Sequence, residues 1–116
     1  MIDPLASLRG LKESVELLAS DITAQLEFLT SPKHGVRAQP DELALNFNDS
    51  YLLVGQLERE ALITKDAAHR LAELDRMLDA MSGESNAAVW TYGALETETW
   101  SKVRAKAKDV LDSLGR

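Results

Sequence analysis

The chain has 116 residues, a size that suits one domain built on one core, and its 45% hydrophobic and 28% charged content is that of an ordinary globular protein. A net charge of -6 repels phosphate backbones and disfavours nucleic-acid binding, and the absence of cysteine excludes disulfides, thiolate metal sites and a thiol nucleophile.

The first predicted element is a helix over 3–30. Leu8, Leu11, Val15, Leu18, Ile22, Leu26 and Leu29 recur at intervals of three and four, which holds them on one helical stripe. Asp3 is placed to cap it, Pro4 fits the first turn, and Pro32 stops it by excluding its predecessor from the helical region. Two prolines, a glycine and the cations Lys33 and Arg37 make 31–40 a loop.

A second helix is predicted over 41–62, opened by Asp41 and Glu42, whose charges suit a helix N-terminus. Its stripe is Leu43, Phe47, Ser50, Val54, Leu57 and Ala61. Asn46, Asn48, Asp49, Ser50 and Gly55 are poor helix formers, so a start at Asp49 is the alternative. A third helix is predicted over 65–82, with Thr64 as cap and Ala67, Leu71, Leu74, Leu78 and Met81 as stripe. The fourth is predicted over 88–114 on Val89, Tyr92, Trp100, Val103, Ala107, Val110, Leu111 and Leu114. Gly93 and the polar run 96–99 are a break point in it, and a start after Glu96 removes an otherwise buried carboxylate. No stretch alternates with the period of a strand. The expected fold is therefore all-α, an antiparallel four-helix bundle with up-and-down connectivity.

The same periodicity leaves apolar residues unaccounted for. Leu17, Ala24 and Phe28 lie opposite the first stripe, and Leu45 and Leu52 lie opposite the second. Exposed apolar surface marks a partner or dimer surface, although a helix buried on both sides, or isolated surface leucines, produces the same pattern. Trp90 also falls off its stripe, and tryptophan is a frequent interface anchor. Leu17, Phe28, Leu45, Leu52 and Trp90 are thus the candidate partner-binding residues.

Lys33, His34 and Arg37 form the positive cluster of the first half and are a weak candidate anion site, for which a solvated loop between prolines is the preferred reading. Asp66, His69 and Glu73 share one helix face at intervals of three and four, a spacing compatible with metal ligation. No second matching motif accompanies them, Arg76 shares the face, and Asp66 already suits a helix N-terminus, so no metal is assigned. Lys102, Arg104, Lys106 and Lys108 resemble a basic motif in one dimension but divide into two pairs flanking the core stripe.

No nucleophile, base and orienting group come together in pattern, so no catalytic activity and no cofactor are expected. The expected function is a non-catalytic interaction module, such as an acidic adaptor or an immunity- or antitoxin-like protein. A homo-oligomeric helical domain is one alternative, and a small metal-binding protein or enzyme is another. The partner is a protein or a second copy, with no nucleic acid. Neither a leader at the N-terminus nor an apolar run near the about 20 residues of a membrane span is apparent. No membrane association and a cytoplasmic location are therefore expected.

Overall fold

Capping groups cut the predicted helices into shorter ones. The computed structural model describes residues 3–31, 39–81 and 89–115. Among them are six α-helices: α1 Pro4–Ala19, α2 Ile22–Leu29, α3 Asp41–Tyr51, α4 Val54–Arg59, α5 Lys65–Ala80 and α6 Glu98–Ser113. A 3-10 helix, Gly93–Glu96, precedes α6, and the described residues contain no strand.

The single helix expected over 3–30 is two. Ser20 and Asp21 are both extended, with ψ near 164° and 171°. The Ser20 hydroxyl donates to the Leu17 carbonyl at 2.6 Å, and the Asp21 carboxylate accepts from the Ala24 amide at 2.9 Å. Serine and aspartate thus end one helix and start the next by bonding to the backbone themselves. Asp3 caps α1 in the same way, accepting from the Leu5 amide at 3.1 Å, with Pro4 in the first turn as expected.

The helix expected over 41–62 starts at Asp41, not Asp49, but bends at Leu52 and Leu53. The Leu53 amide reaches back three residues to the Ser50 carbonyl instead of four, which tightens the backbone into a turn before α4. α4 stops at Arg59. The Leu62 amide donates to the Leu57 carbonyl and the Ala61 amide to the Glu58 carbonyl, each at 3.0 Å. This is the Schellman pairing, and it places Ala61 at φ 59°, a left-handed conformation that glycine fills most easily.

α5 follows its sequence reading closely. Thr64 caps it by accepting from the Ala67 amide at 3.0 Å, and Ala67, Leu71, Leu74 and Leu78 are buried. It ends at Ala80, with Met81 as its C-cap. The helix expected over 88–114 begins instead at Glu98. Thr97 is extended and its hydroxyl donates to the Ala94 carbonyl at 2.6 Å, closing the 3-10 turn before α6 starts. Glu96 consequently lies in solvent and no carboxylate is trapped on the stripe.

One core joins these elements. α1 packs against α6 and α3, α5 packs against α6, α3 and α4, and α2 sits beside the end of α1. Leu11, Val15, Leu18, Phe47, Leu71 and Trp100 are among its fully buried side chains. The radius of gyration of 14.1 Å is near the about 13 Å expected of a compact chain of this length.

The interior also holds two polar residues, Ser14 and Gln25. The Ser14 hydroxyl donates to the Leu11 carbonyl at 2.8 Å. Gln25 has no exposed surface; its amide nitrogen donates to the Leu17 and Leu18 carbonyls at 3.2 and 3.1 Å, and its oxygen accepts from the Arg104 guanidinium at 3.2 Å. It therefore caps the open end of α1, orients α2 and reaches α6 at once. Burial lowers the Arg104 pKa from its ordinary value.

Candidate interaction surface

The five candidate contact residues separate into two groups. Leu17 and Phe28 are half-buried and pack on the core. For Phe28 the break at Ser20 and Asp21 matters, because α2 starts anew after two extended residues and its faces no longer follow the stripe of α1. Trp90 is half-buried too. Its indole N–H donates to the Met81 carbonyl at 3.0 Å, and its ring meets Trp100 edge-on, with centroids 5.8 Å apart and planes at 81°. Trp100 is fully buried and donates to the Val89 carbonyl at 2.7 Å. Leu17, Phe28 and Trp90 are all partly buried and pack against the core.

Leu45 and Leu52 do project into solvent, at 52% and 74% exposure. Leu43 and Phe47 fix which side of α3 faces the core, being fully buried. At 100° per residue the opposite arc carries Asp41, Leu45, Asn48, Asp49 and Leu52, and all five are exposed. The two leucines lie seven residues apart, about 10 Å along the helix axis. Leu5 is the other large hydrophobic residue exposed among the described residues, at 60%. It stands in the first turn of α1, beyond the reach of a stripe argument.

The charge around this face is one-sided. Between residues 41 and 60 stand Asp41, Glu42, Asp49, Glu58 and Glu60 against Arg59 alone, a net charge of -4 of the chain's -6. The measured ion pairs among the described residues lie elsewhere, on α5 and α6. At the seam of α3 and α5, burial raises the Tyr51 pKa, and neighbouring Asp75 adds to the rise. Burial likewise raises the Asp75 carboxyl, with Asp79 contributing. In both, burial is the largest cause, and the nearby Arg76 partly offsets the neighbouring carboxylates.

The α5–α6 seam is neutralised by contrast. Arg70 donates to Asp66 at 2.9 Å and also bonds Asp109. Lys106 donates to Glu73 at 3.0 Å and lies 3.5 Å from Asp109. The hydrogen bond from Lys106 holds Glu73 below the ordinary carboxylate range, and the bond to Asp66 raises Arg70 further. These contacts consume the side chains in which a metal site was considered. His69 lies 3.8 Å from Glu73, but Asp66 and Glu73 are turned to cations, and no group of three potential metal ligands occurs among the described residues. Sequence periodicity missed Arg70 and Asp109, because it sorts residues within one helix and says nothing of pairs between helices. The cations of α6 behave as flanking residues: Lys102 pairs with Glu98 at 3.6 Å, Arg104 meets Gln25, and Lys106 retains 20% exposure.

Two shallow grooves accompany these seams. One of about 330 Å³ is lined by Met77, Ala80, Met81, Val89, Lys102 and Val103, and another of about 480 Å³ lies between Tyr51, Val54 and Glu58 on one side and Lys65, Ala68 and His69 on the other. Lys33, His34 and Arg37 lie outside the described residues. No helix among the described residues is long and apolar enough to cross a membrane. No family model, no curated protein and no solved structure matches this chain.

Proposed function

We propose that this chain is a non-catalytic protein-interaction module that docks a protein partner on the outer face of α3. One observation carries the reading. Leu45 and Leu52 are exposed together on a helix face whose other members are polar, whereas the remaining candidate anchors are spent on the core. An apolar pair held in water on a folded helix gains free energy by being covered, and helix faces with anchors seven apart are a recurrent recognition mode. In this reading α1, the bent α3–α4 unit, α5 and α6 form an antiparallel up-and-down four-helix bundle, and α2 is an added turn over one end. The bundle is the rigid platform, and the interaction requires no cofactor.

A basic partner meets the acid-rich surroundings favourably, while a nucleic acid or an anionic membrane meets them unfavourably. A dimer formed symmetrically through this face would set Asp41 and Asp49 of one copy against those of the other, which disfavours self-association there. The test is affinity capture from the native host on the wild-type chain and on Leu45→Ser/Leu52→Ser, with light scattering of both. A protein recovered in stoichiometric amount on the wild type and lost on the double variant supports the reading. Equal recovery on both, or a wild-type dimer that the double variant dissociates, contradicts it.

A further inference from the structure

We infer that the partner segment is a basic amphipathic helix, laid along α3 so that its apolar side chains cover Leu45 and Leu52 and its lysines or arginines meet the flanking carboxylates. This rests on the reading of the α3 outer face as the docking site, and it adds the chemistry of what docks there.

The argument is one of complementarity along a single line. Asp41 stands one turn before Leu45, and Asp49 stands one turn after Leu45 and one turn before Leu52. Acid and leucine therefore alternate along the exposed arc: acid, leucine, acid, leucine. A partner helix with cations and apolar residues at intervals of three and four matches that alternation in both chemistry and repeat. Among the described residues Asp41 and Asp49 take part in no ion pair, whereas Asp66, Glu73, Glu98 and Asp109 are each already matched to a lysine or arginine. Beyond Leu52 the chain bends and Glu58 and Glu60 are interleaved with Arg59, with Lys65 across the groove from Glu58, so the acid–leucine alternation is a property of residues 41–52.

An acidic segment or a second copy of this chain would bring carboxylates against carboxylates, and a purely apolar segment would leave those carboxylates desolvated without partners. A polycation without apolar residues would meet the charge but leave both leucines in water. Only a segment carrying both features satisfies the face.

The experiment uses two synthetic helical peptides of 18 residues, one of leucine and lysine and one of leucine and glutamate at the same positions, titrated against the full chain at low and at physiological salt (peptide length chosen as about five helical turns). The leucine–lysine peptide is expected to bind and the leucine–glutamate peptide to fail. Leu45→Ser/Leu52→Ser is expected to weaken binding about tenfold or more, from the apolar area no longer covered. Asp41→Asn/Asp49→Asn is expected to weaken it about fivefold at low salt and to flatten its salt dependence. The remote pair Glu96→Gln/Glu98→Gln, at the junction of the 3-10 helix and α6, is expected to leave it unchanged. The four positions substituted within 41–52, and both Glu96 and Glu98, are exposed, so each variant keeps the fold, which circular dichroism checks. Equal binding of the glutamate peptide overturns the basic partner and leaves the docking face standing. Binding that follows the carboxylates but ignores Leu45 and Leu52 overturns the docking face itself. Binding of neither peptide overturns the inference.

Discussion

Truncating Gln25 to alanine removes a side chain on α2 whose hydrogen bonds reach both α1 and α6. Two hydrogen bonds to the Leu17 and Leu18 carbonyls disappear, each contributing about 1 kcal/mol. The bond from Arg104 disappears as well, and a bond to a charged group contributes about 1.5–3 kcal/mol. Arg104 is half-buried and its burial already disfavours its charge, so the loss falls on a group poorly placed to recruit water. Gln25 is wholly enclosed, and a small cavity adds to the cost. The total is about 3–5 kcal/mol, a large fraction of the about 5–15 kcal/mol that stabilises a domain. Urea unfolding followed by circular dichroism measures it, with the thermal midpoint expected to fall by about 12–20 °C. Gln25→Met, which nearly keeps the volume, is expected to lose about 2–3 kcal/mol, isolating the hydrogen bonds from the cavity. In a double-mutant cycle with Arg104→Met the coupling is expected at about 1–2 kcal/mol. A loss below about 1 kcal/mol for Gln25→Ala, with no coupling to Arg104, would refute the reasoning.

Ala61→Gly is expected to stabilise the fold by about 1 kcal/mol, because the left-handed backbone at φ 59° strains any residue with a Cβ; a lower thermal midpoint would contradict this. Asp75→Asn is expected to raise the thermal midpoint at pH 7. The carboxyl pKa is raised in the fold, so its contribution is most favourable below the ordinary carboxylate pKa and is lost as pH rises through the raised value; the gain should vanish in melts near about pH 3. Trp90→Phe keeps an aromatic edge against Trp100 but removes the bond to the Met81 carbonyl, and a loss of about 1 kcal/mol is expected by chemical denaturation.

How far the sequence led depends on where backbone direction and side-chain period agree. α5 is legible throughout, because Thr64 caps it and no polar pair interrupts the stripe from Ala67 to Leu78. The core half of α6 is legible for the same reason, from Trp100 to Leu111. At Ser20 and Asp21 the two part company: Leu18 and Ile22 keep their interval of four while the chain turns between them. Period counts intervals and is blind to a change of axis, although a serine–aspartate pair inside an apolar stripe is itself a stop-and-start signal. That one miss concealed the packing of Phe28 on the core and the role of Gln25. Trp90 lies outside the reach of the stripe for a related reason, since the helix to which the stripe belongs begins only at Glu98. The exposure of Leu45 follows from the stripe because α3 is a true helix from Asp41 to Tyr51, with Leu43 and Phe47 marking its core side, and Leu52 keeps a helical backbone at its C-cap. The Arg70–Asp109 and Lys106–Glu73 pairs join residues far apart in the chain, and no spacing rule reaches them.

The central claim is that the outer face of α3 is where a partner docks, and amide chemical-shift mapping tests it most directly. Titrating the leucine–lysine peptide into isotope-labelled protein is predicted to move the resonances of Asp41, Leu45, Asn48, Asp49 and Leu52, the exposed arc of α3, and to spare those of α6. Shifts centred on α6, or spread evenly over every acidic helix, would contradict it.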